Sequence, residues 1–177
     1  MDTPHTAPGL VAVVVYNGLS LFEYGCAVEV FGLPRPELGD RWYRFAACAA
    51  EPGVLRGAGG IQIQPDQGLE LLAQARTIIV PGWRGIDAPV PEPLSQALRQ
   101  AHARGARVLS ICTGAFVLAA AGLLDGRRAT THWRHAQTLA ARYPRVQVHA
   151  DVLYVDAGDI LTSAGSAAGM DLCLHLI

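Results

Sequence analysis

The stretch that decides the fold reads VLSICTG and covers residues 108–114. Val108–Ile111 is a short β-branched and leucine-rich run, which predicts a strand buried on both faces. Thr113–Ala121 is an apolar run that predicts a helix, with Gly122 at its end. Cys112 lies between the two, so the sequence predicts a cysteine on a tight turn from a buried strand into a helix.

The sequence on both sides repeats this alternation of strand and helix. Leu10–Tyr16 and Thr77–Val80 are further buried strands, and Leu94, Ala97, Leu98 and Ala101 have the spacing of a helix with one apolar face. Alternating strands and helices predict an α/β fold with a doubly wound, mostly parallel sheet and helices on both faces. The other predicted elements are strands at Trp42–Ala49 and Ile61–Gln64, helices from Ser20 to Phe31, Trp133 to Arg142 and near Ser166, and a hairpin of Val146–Val155 with Ile160–Thr162.

Composition limits the classes of function. The chain has 177 residues, of which 51% are hydrophobic and 16% charged, and its formal net charge is −1. These values suit one globular domain and give no general attraction to nucleic acid or to an anionic membrane. No apolar stretch is long enough to span a bilayer, and residues 1–9 are expected to be a disordered start rather than a signal peptide. Four widely separated cysteines favour a reducing cytoplasm over a disulfide framework.

Cys112 is the predicted centre of the chemistry. A turn from strand to helix exposes its side chain at the carboxyl edge of the sheet, where open α/β folds bind ligands. The helix amino terminus is expected to favour a thiolate, and Gly114 lets the helix pack closely. The alternative is a small buried core cysteine.

Backbone amides near Cys112 are candidates to hold a developing negative charge or a ligand. The amide of Thr113 is one, and the segment of Gly82 and Trp83, directly after the strand Thr77–Val80, offers the other. The alternative for Pro81 and Gly82 is a plain turn that ends a strand.

Three further polar features bear on the cysteine. Glu23 follows the first strand, and it is either a partner of Cys112 or a helix-capping carboxylate in a capping box with Ser20. His132 is either a site residue or a loop histidine, and Asp171 and His175 have the spacing of a pair on one helix. His132 and His135 lack further ligands at a suitable spacing, so we expect neither a metal nor a cofactor.

Four motifs together resemble those of the ThiJ/PfpI superfamily, whose fold is flavodoxin-like and related to class I glutamine amidotransferases. They are GLSLFEYGCAVEVF (18–31), VPGW (80–83), SICTGA (110–115) and GLLDGRRATTHW (122–133). The resemblance implies that Cys112 is the reactive cysteine, Glu23 the acidic residue near its sulfur and His132 the neighbouring histidine. It also implies oxyanion-hole amides at Thr113 and Trp83, and a homodimer.

Two branches of the family are the most similar. Residues 151–177 resemble the end of the amino-terminal domain in AraC-type transcriptional regulators of the GlxA and FtrA kind. The last helix is still apolar at Ile177, so we expect the chain to be cut before a helix-turn-helix domain, through which alone the protein would bind DNA. The CTG elbow and the TTHW segment are also similar to isocyanide hydratase.

Three hypotheses follow from these observations. The chain is the small-molecule effector domain of a regulator, a cysteine-dependent hydratase or hydrolase acting on a polarised carbon–nitrogen or carbonyl compound, or a sensor of oxidants through Cys112. The strand-to-helix turn is compatible with all three, because a fold and a nucleophile do not by themselves decide function.

Overall fold

The computed structural model describes residues 8–177, so most of the predicted disordered start lies outside the described residues. Strands and helices follow in the order β1 (Leu10–Val15), α1 (Leu21–Ala27), β2 (Arg44–Ala49), β3 (Leu55–Arg56), β4 (Gln62–Ile63), β5 (Thr77–Val80), α2 (Glu92–Ala103), β6 (Arg107–Ile111), α3 (Gly114–Ala120), β7 (Arg128–Ala129), α4 (Ala136–Arg142), β8 (Gln147–Val148), β9 (Tyr154–Asp156), β10 (Ile160–Ser163) and α5 (Ala168–His175). Within residues 8–177, no helix has the length and apolar character needed to cross a bilayer.

The main sheet has six strands in the order β2-β1-β5-β6-β10-β9. The first five strands are parallel, and β9 pairs antiparallel with β10. The predicted flavodoxin-like fold and the predicted hairpin before the last helix are therefore confirmed. From β1 the chain passes outward to β2 and then back to β5, so the carboxyl ends of β1 and β5 border a crevice of the kind in which such sheets bind ligands.

Helices cover both faces of the sheet. Helices α2, α3 and α4 pack on one face, and α1 and α5 pack on the other. Alternate residues of β1 enter the two cores, Ala12 and Val14 on the first face and Val11 and Val13 on the second. This double burial is the reason that β1 reads as an uninterrupted apolar run rather than an alternating one.

Three local predictions differ from the structure. The first helix is α-helical only to Ala27 and continues as a π-helical turn over Val28–Gly32. The predicted capping box is wrong, because the Ser20 side chain makes no capping hydrogen bond. The predicted long strand Val146–Val155 is broken, since β8 pairs with β7 in a separate two-stranded sheet and only β9 forms the hairpin.

Two glycines in helices differ in how closely they are packed, and alanine at each is expected to have the opposite effect on stability. A Cβ at Gly169 would lie 2.6 Å from Cγ2 of the buried Ile111, whereas a Cβ at Gly25 in α1 would have no neighbour within 4 Å. We expect Gly169→Ala to lower the free energy of unfolding by about 1–3 kcal/mol through overpacking. Gly25→Ala should raise it by about 0.5–1 kcal/mol, because alanine favours the helix. Urea unfolding of both variants measures the two signs, and a stabilised Gly169→Ala would contradict the packing described.

Candidate functional site

Cys112 has a left-handed backbone conformation at the junction of β6 and α3. Its φ is 57°, and it is the only non-glycine residue with a positive φ in the described part of the chain. Such a conformation costs a residue with a side chain about 1–2 kcal/mol. Its N–H donates to the carbonyls of Ser163 (3.2 Å) and Ala164 (3.0 Å), and its carbonyl accepts from Thr131 Oγ1 at 2.8 Å. These bonds to the β10 edge and to residue 131 hold the turn in place, as the nucleophile-elbow pattern predicts.

Gly114 allows α3 to begin directly against the end of β5. A Cβ at Gly114 would lie 2.3 Å from the carbonyl oxygen of Val80 and 2.7 Å from that of Pro81. No side chain fits there, because these neighbours are backbone atoms of a buried strand end. The predicted close helix packing at Gly114 is therefore confirmed, and it brings the segment after β5 beside Cys112.

Glu23 is buried and directed into the site. It is 3% exposed, and its Oε2 accepts a hydrogen bond of 2.5 Å from the Gly82 N–H. Its Oε1 accepts a bond of 3.0 Å from Ser166 Oγ, just before α5. A buried carboxylate needs such donors, so Glu23 joins α1, the segment after β5 and the start of α5 rather than capping its own helix.

Tyr16 is a site residue that the sequence analysis did not single out. It lies directly after β1 and is fully buried, and its hydroxyl lies 2.7 Å from the Pro81 carbonyl and 2.6 Å from the Gly82 carbonyl, to which it donates. Burial raises the pKa of Tyr16 well above its usual value, and the nearby Glu23 charge adds to this. Its position at the carboxyl end of a predicted buried strand was the available signal, because that edge carries the site.

Trp83 and Thr113 lie next to each other across the site. Thr113 Oγ1 donates to the Trp83 carbonyl at 3.2 Å. The indole N–H of Trp83 donates to the Ala88 carbonyl at 3.1 Å, and the ring packs against Tyr16 with centroids 4.5 Å apart. The structure thus brings the two predicted oxyanion-hole residues together, while the role of their amides stays a prediction. The Gly82 amide already donates to Glu23, so a ligand would have to displace the carboxylate to reach it.

His132 lies at the rim of the site. Its Nδ1 accepts from the Arg134 N–H at 3.2 Å, and its ring stacks on Trp133 with centroids 5.6 Å apart. A Cβ at Gly165 would lie 3.2 Å from the His132 ring, so the imidazole covers the segment between β10 and α5. The hydrogen bonds of the described residues do not join His132 to Cys112, and its predicted role in the chemistry stays untested.

The Cys112 thiol is protonated at neutral pH. Its pKa is raised to about 12, chiefly by burial and in addition by the Glu23 charge, and the backbone N–H and hydroxyl of Thr113 oppose these effects only in part. The amide at the helix amino terminus favours the thiolate as expected, but desolvation and the nearby carboxylate outweigh it. Any nucleophilic step at Cys112 therefore requires removal of the thiol proton.

Asp171 and His175 of α5 are the other titratable pair that the sequence analysis singled out. His175 pairs with Asp156 of β9, with Nε2 and Oδ2 2.8 Å apart, so the predicted pair of His175 with Asp171 is wrong. The described residues contain no group of three or more side chains that could hold a metal ion.

Comparison with known proteins identifies the relatives of this chain. A sequence model of the DJ-1/PfpI family matches residues 10–177. A Streptomyces lividans protein named "Uncharacterized protein in cpoL 5′region" is 39% identical over 138 residues, which are 77% of this chain and 96% of that protein. The HTH-type transcriptional regulator CdhR of Pseudomonas aeruginosa is 35% identical over 161 residues, which are 90% of this chain and 47% of the regulator.

An enzyme and a solved structure complete the comparison. Isonitrile hydratase of Pseudomonas putida is 36% identical over 121 residues, which are 66% of this chain and 50% of the enzyme. The chain thus spans about half the length of the regulators and of the hydratase that it matches. The crystal structure of an AraC family transcriptional regulator from Pseudomonas putida has the same fold, with a TM-score of 0.80 at 20% identity over 96% of this chain and 90% of that one.

Replacing Glu23 tests the electrostatics of the site. In Glu23→Gln the negative charge beside Cys112 is lost, so we expect the pKa of Cys112 to fall and its alkylation by iodoacetamide near pH 8 to accelerate. The rate of alkylation at Cys112 should rise about tenfold for each unit by which its pKa falls. Mass spectrometry of the alkylated protein measures the rate at each cysteine.

Cys173 is an internal control, because its pKa of about 12 results from burial and from Cys26 rather than from Glu23. Glu29→Gln is the matched control variant, because Glu29 is an exposed carboxylate six residues further along the same helical segment. Equal alkylation rates at Cys112 in the wild type and in Glu23→Gln would contradict the electrostatic coupling.

Proposed function

Because this chain belongs to the DJ-1/PfpI family, we propose that it is the small-molecule-sensing domain of an AraC-type transcriptional regulator. Homology supports this assignment, since the chain matches the regulators GbdR, CdhR and GlxA over 90% or more of its length, whereas it matches isonitrile hydratase over 66% and the regulator ArgR over 51%. The structural observation that carries it is the position of Glu23. This buried carboxylate accepts hydrogen bonds from the Gly82 amide, in the segment after β5, and from Ser166, just before the last described helix.

The proposed ligand contacts surround the Cys112 thiol. A small polar molecule at the carboxyl edge would meet the thiol, the Glu23 carboxylate and the amides of Thr113 and Trp83, with His132 at the rim. Cys112 is only 8% exposed, so the ligand is small or displaces part of the rim. A protonated thiol suits this role, because it can donate a hydrogen bond to a ligand without forming a covalent bond.

The proposed signal passes through Ser166. Ser166 Oγ donates to Glu23 Oε1 and lies two residues before α5 begins, so a ligand that takes this oxygen releases the start of α5. A ligand shifts an equilibrium only by its difference in affinity for the two states. The two states here are α5 tied to Glu23 and α5 released from it. DNA contact would belong to a separate carboxyl-terminal domain, as in the regulators that the chain resembles.

The rest of the proposal concerns assembly and location. We propose a homodimer, because three large apolar side chains, Phe22, Val54 and Ile61, are more than half exposed around the start of α1 and the β3–β4 hairpin. Leu21 lies next to Gly57, which brings these two regions together on one surface. We also propose that the protein works in the cytoplasm, where four free, buried cysteines stay reduced.

Sequencing the gene beyond the codon for Ile177 is the direct test of the regulator assignment. We expect an open frame of roughly 100 or more further residues that contains two helix-turn-helix motifs. The full-length protein should then shift a fragment of its own promoter in a gel assay, and residues 1–177 alone should not. A stop codon shortly after the codon for Ile177, or a sequence-specific shift by residues 1–177, would contradict the proposal.

A hydratase is the second candidate, because Cys112 and Glu23 meet at a strained turn and isonitrile hydratase is a relative. In such a reaction Glu23 accepts the thiol proton as sulfur attacks the isonitrile carbon, and the proton passes to that carbon to give a thioimidate. Water then adds its hydroxyl to the same carbon and a proton to nitrogen, and the carbon–sulfur bond breaks as the hydroxyl proton passes to sulfur. The product is the N-substituted formamide.

Formamide production from an alkyl isonitrile tests this alternative. If the chain is a hydratase, Cys112→Ser and Glu23→Gln should each lower turnover by about 100-fold or more, because each removes a group that handles the transferred proton. Cys48→Ala is the matched control, since Cys48 is buried in the core on the other face of the sheet. Turnover by Cys112→Ser at the wild-type rate would exclude the mechanism.

A further inference from the structure

Arginines cluster at the amino-terminal edge of the sheet, opposite to Cys112. Arg76 directly precedes β5 and Arg107 begins β6. The Arg107 N–H donates to the Arg76 carbonyl at 2.9 Å, and Arg107 is in register with Thr77. The two residues therefore begin neighbouring parallel strands, whose backbones lie about 4.8 Å apart.

These arginines border an open cleft of about 690 Å³. Arg104, directly after α2, is the third arginine of its lining, and one of its N–H groups donates to the Leu72 carbonyl at 3.2 Å. The other lining residues are small, namely three alanines, a glycine and a proline. Small residues between three long cationic side chains leave room for a ligand rather than for a packed core.

The charge in this cleft is not balanced by the described chain. None of the residues that line it is acidic. None of the ion pairs within residues 8–177 involves Arg76, Arg104 or Arg107. Among the causes that act on the pKa of Asp156, the hydrogen bond from His175 lowers it most and Arg107 lowers it least.

The neighbouring cavity, which shares Arg76 with this cleft, differs in its charge. That cavity, of about 470 Å³, also borders Arg76 and holds Arg44. It contains Asp40, so a carboxylate is already present beside its arginines. The chain as a whole has a net charge of −1, so its arginines are not in general surplus. Arg76, Arg104 and Arg107 are therefore three cationic side chains around one cleft whose described lining contains no carboxylate.

We propose that this cleft binds a small molecule carrying two or more oxyanion groups, such as a diphosphate. Guanidinium groups recognise phosphate and carboxylate groups through paired N–H donors and stay charged at any physiological pH. Two arginines on adjacent strands can each engage one phosphate, and Arg104 closes the third side. A compact concavity fits a small anion better than a nucleic acid backbone, which needs an extended basic surface.

The site is independent of the proposed function at Cys112. The two lie at opposite ends of the parallel strands, because β6 begins at Arg107 and ends one residue before Cys112. A ligand in this cleft is therefore a second ligand of the same sheet, bound at the opposite end of its strands. Loss of this site should leave the chemistry and the ligand contacts of Cys112 unchanged.

Calorimetric titration of the full chain with inorganic pyrophosphate at low ionic strength tests the proposal. We expect saturable binding with a stoichiometry of one, which weakens as salt is added. Arg76→Gln and Arg107→Gln should each lower the affinity about tenfold or more, and Arg107→Lys should lower it less because the charge is kept. Thermal unfolding of each variant establishes that it is folded.

Two variants serve as matched controls. Arg99→Gln removes an arginine on α2 that pairs with Glu92, and Cys112→Ala alters the other end of the sheet. Neither should change the affinity for pyrophosphate. Non-saturable binding, or an equal loss of affinity in Arg99→Gln, would show a general charge effect and overturn the proposal. Tighter binding of duplex DNA with the same dependence on Arg76 and Arg107 would also overturn it, in favour of a nucleic acid site.

Discussion

The left-handed backbone at Cys112 is the constraint on which the site depends. It reverses the chain sharply enough for α3 to begin against the end of β5, and Gly114 makes this contact possible because a side chain there would collide with the Val80 carbonyl. Hydrogen bonds offset the cost of this conformation. The Cys112 N–H donates to the carbonyls of Ser163 and Ala164, and Thr131 Oγ1 donates to the Cys112 carbonyl. The cysteine is thus fixed by the sheet on one side and by a loop on the other, as is usual for strained residues at functional sites.

A buried carboxylate organises the rest of the pocket. Glu23 comes from α1, yet its partners belong to the segment after β5 and to the start of α5. Tyr16 fixes the same segment from β1 by donating to two of its carbonyls. Hydrogen bonds of buried groups therefore join four parts of the chain, namely the end of β1, α1, the segment after β5 and the residues just before α5. The low polarity that strengthens these bonds also keeps the Cys112 thiol protonated.

The two ends of the sheet differ in chemistry. The carboxyl edge is a small, enclosed site with a buried acid and a thiol, whereas the amino edge is an open cleft with three arginines. Parallel strands separate such edges by construction, because every strand starts at one and ends at the other.

Local pattern in the sequence was sufficient for the fold and for the elbow. The apolar runs at residues 10–16, 77–80 and 108–111 predicted buried parallel strands, because double burial leaves no polar alternation. The same reasoning placed Cys112, Gly114 and Glu23 at one edge. Local pattern failed where a distant partner competes with a near one: Glu23 suits a capping box with Ser20, but the buried Gly82 amide and Ser166 hydroxyl take it instead.

The sequence by itself determined which residues form strands and helices and which of them end at the carboxyl edge, because hydrophobic period and strand direction are local properties. Only the tertiary structure decided the protonation of Cys112, the role of Tyr16 and the meeting of Arg76, Arg104 and Arg107 in one cleft. Each of these depends on burial and on charges brought together from residues far apart in the chain. A local sequence pattern specifies neither how deeply a residue is buried nor which charges surround it.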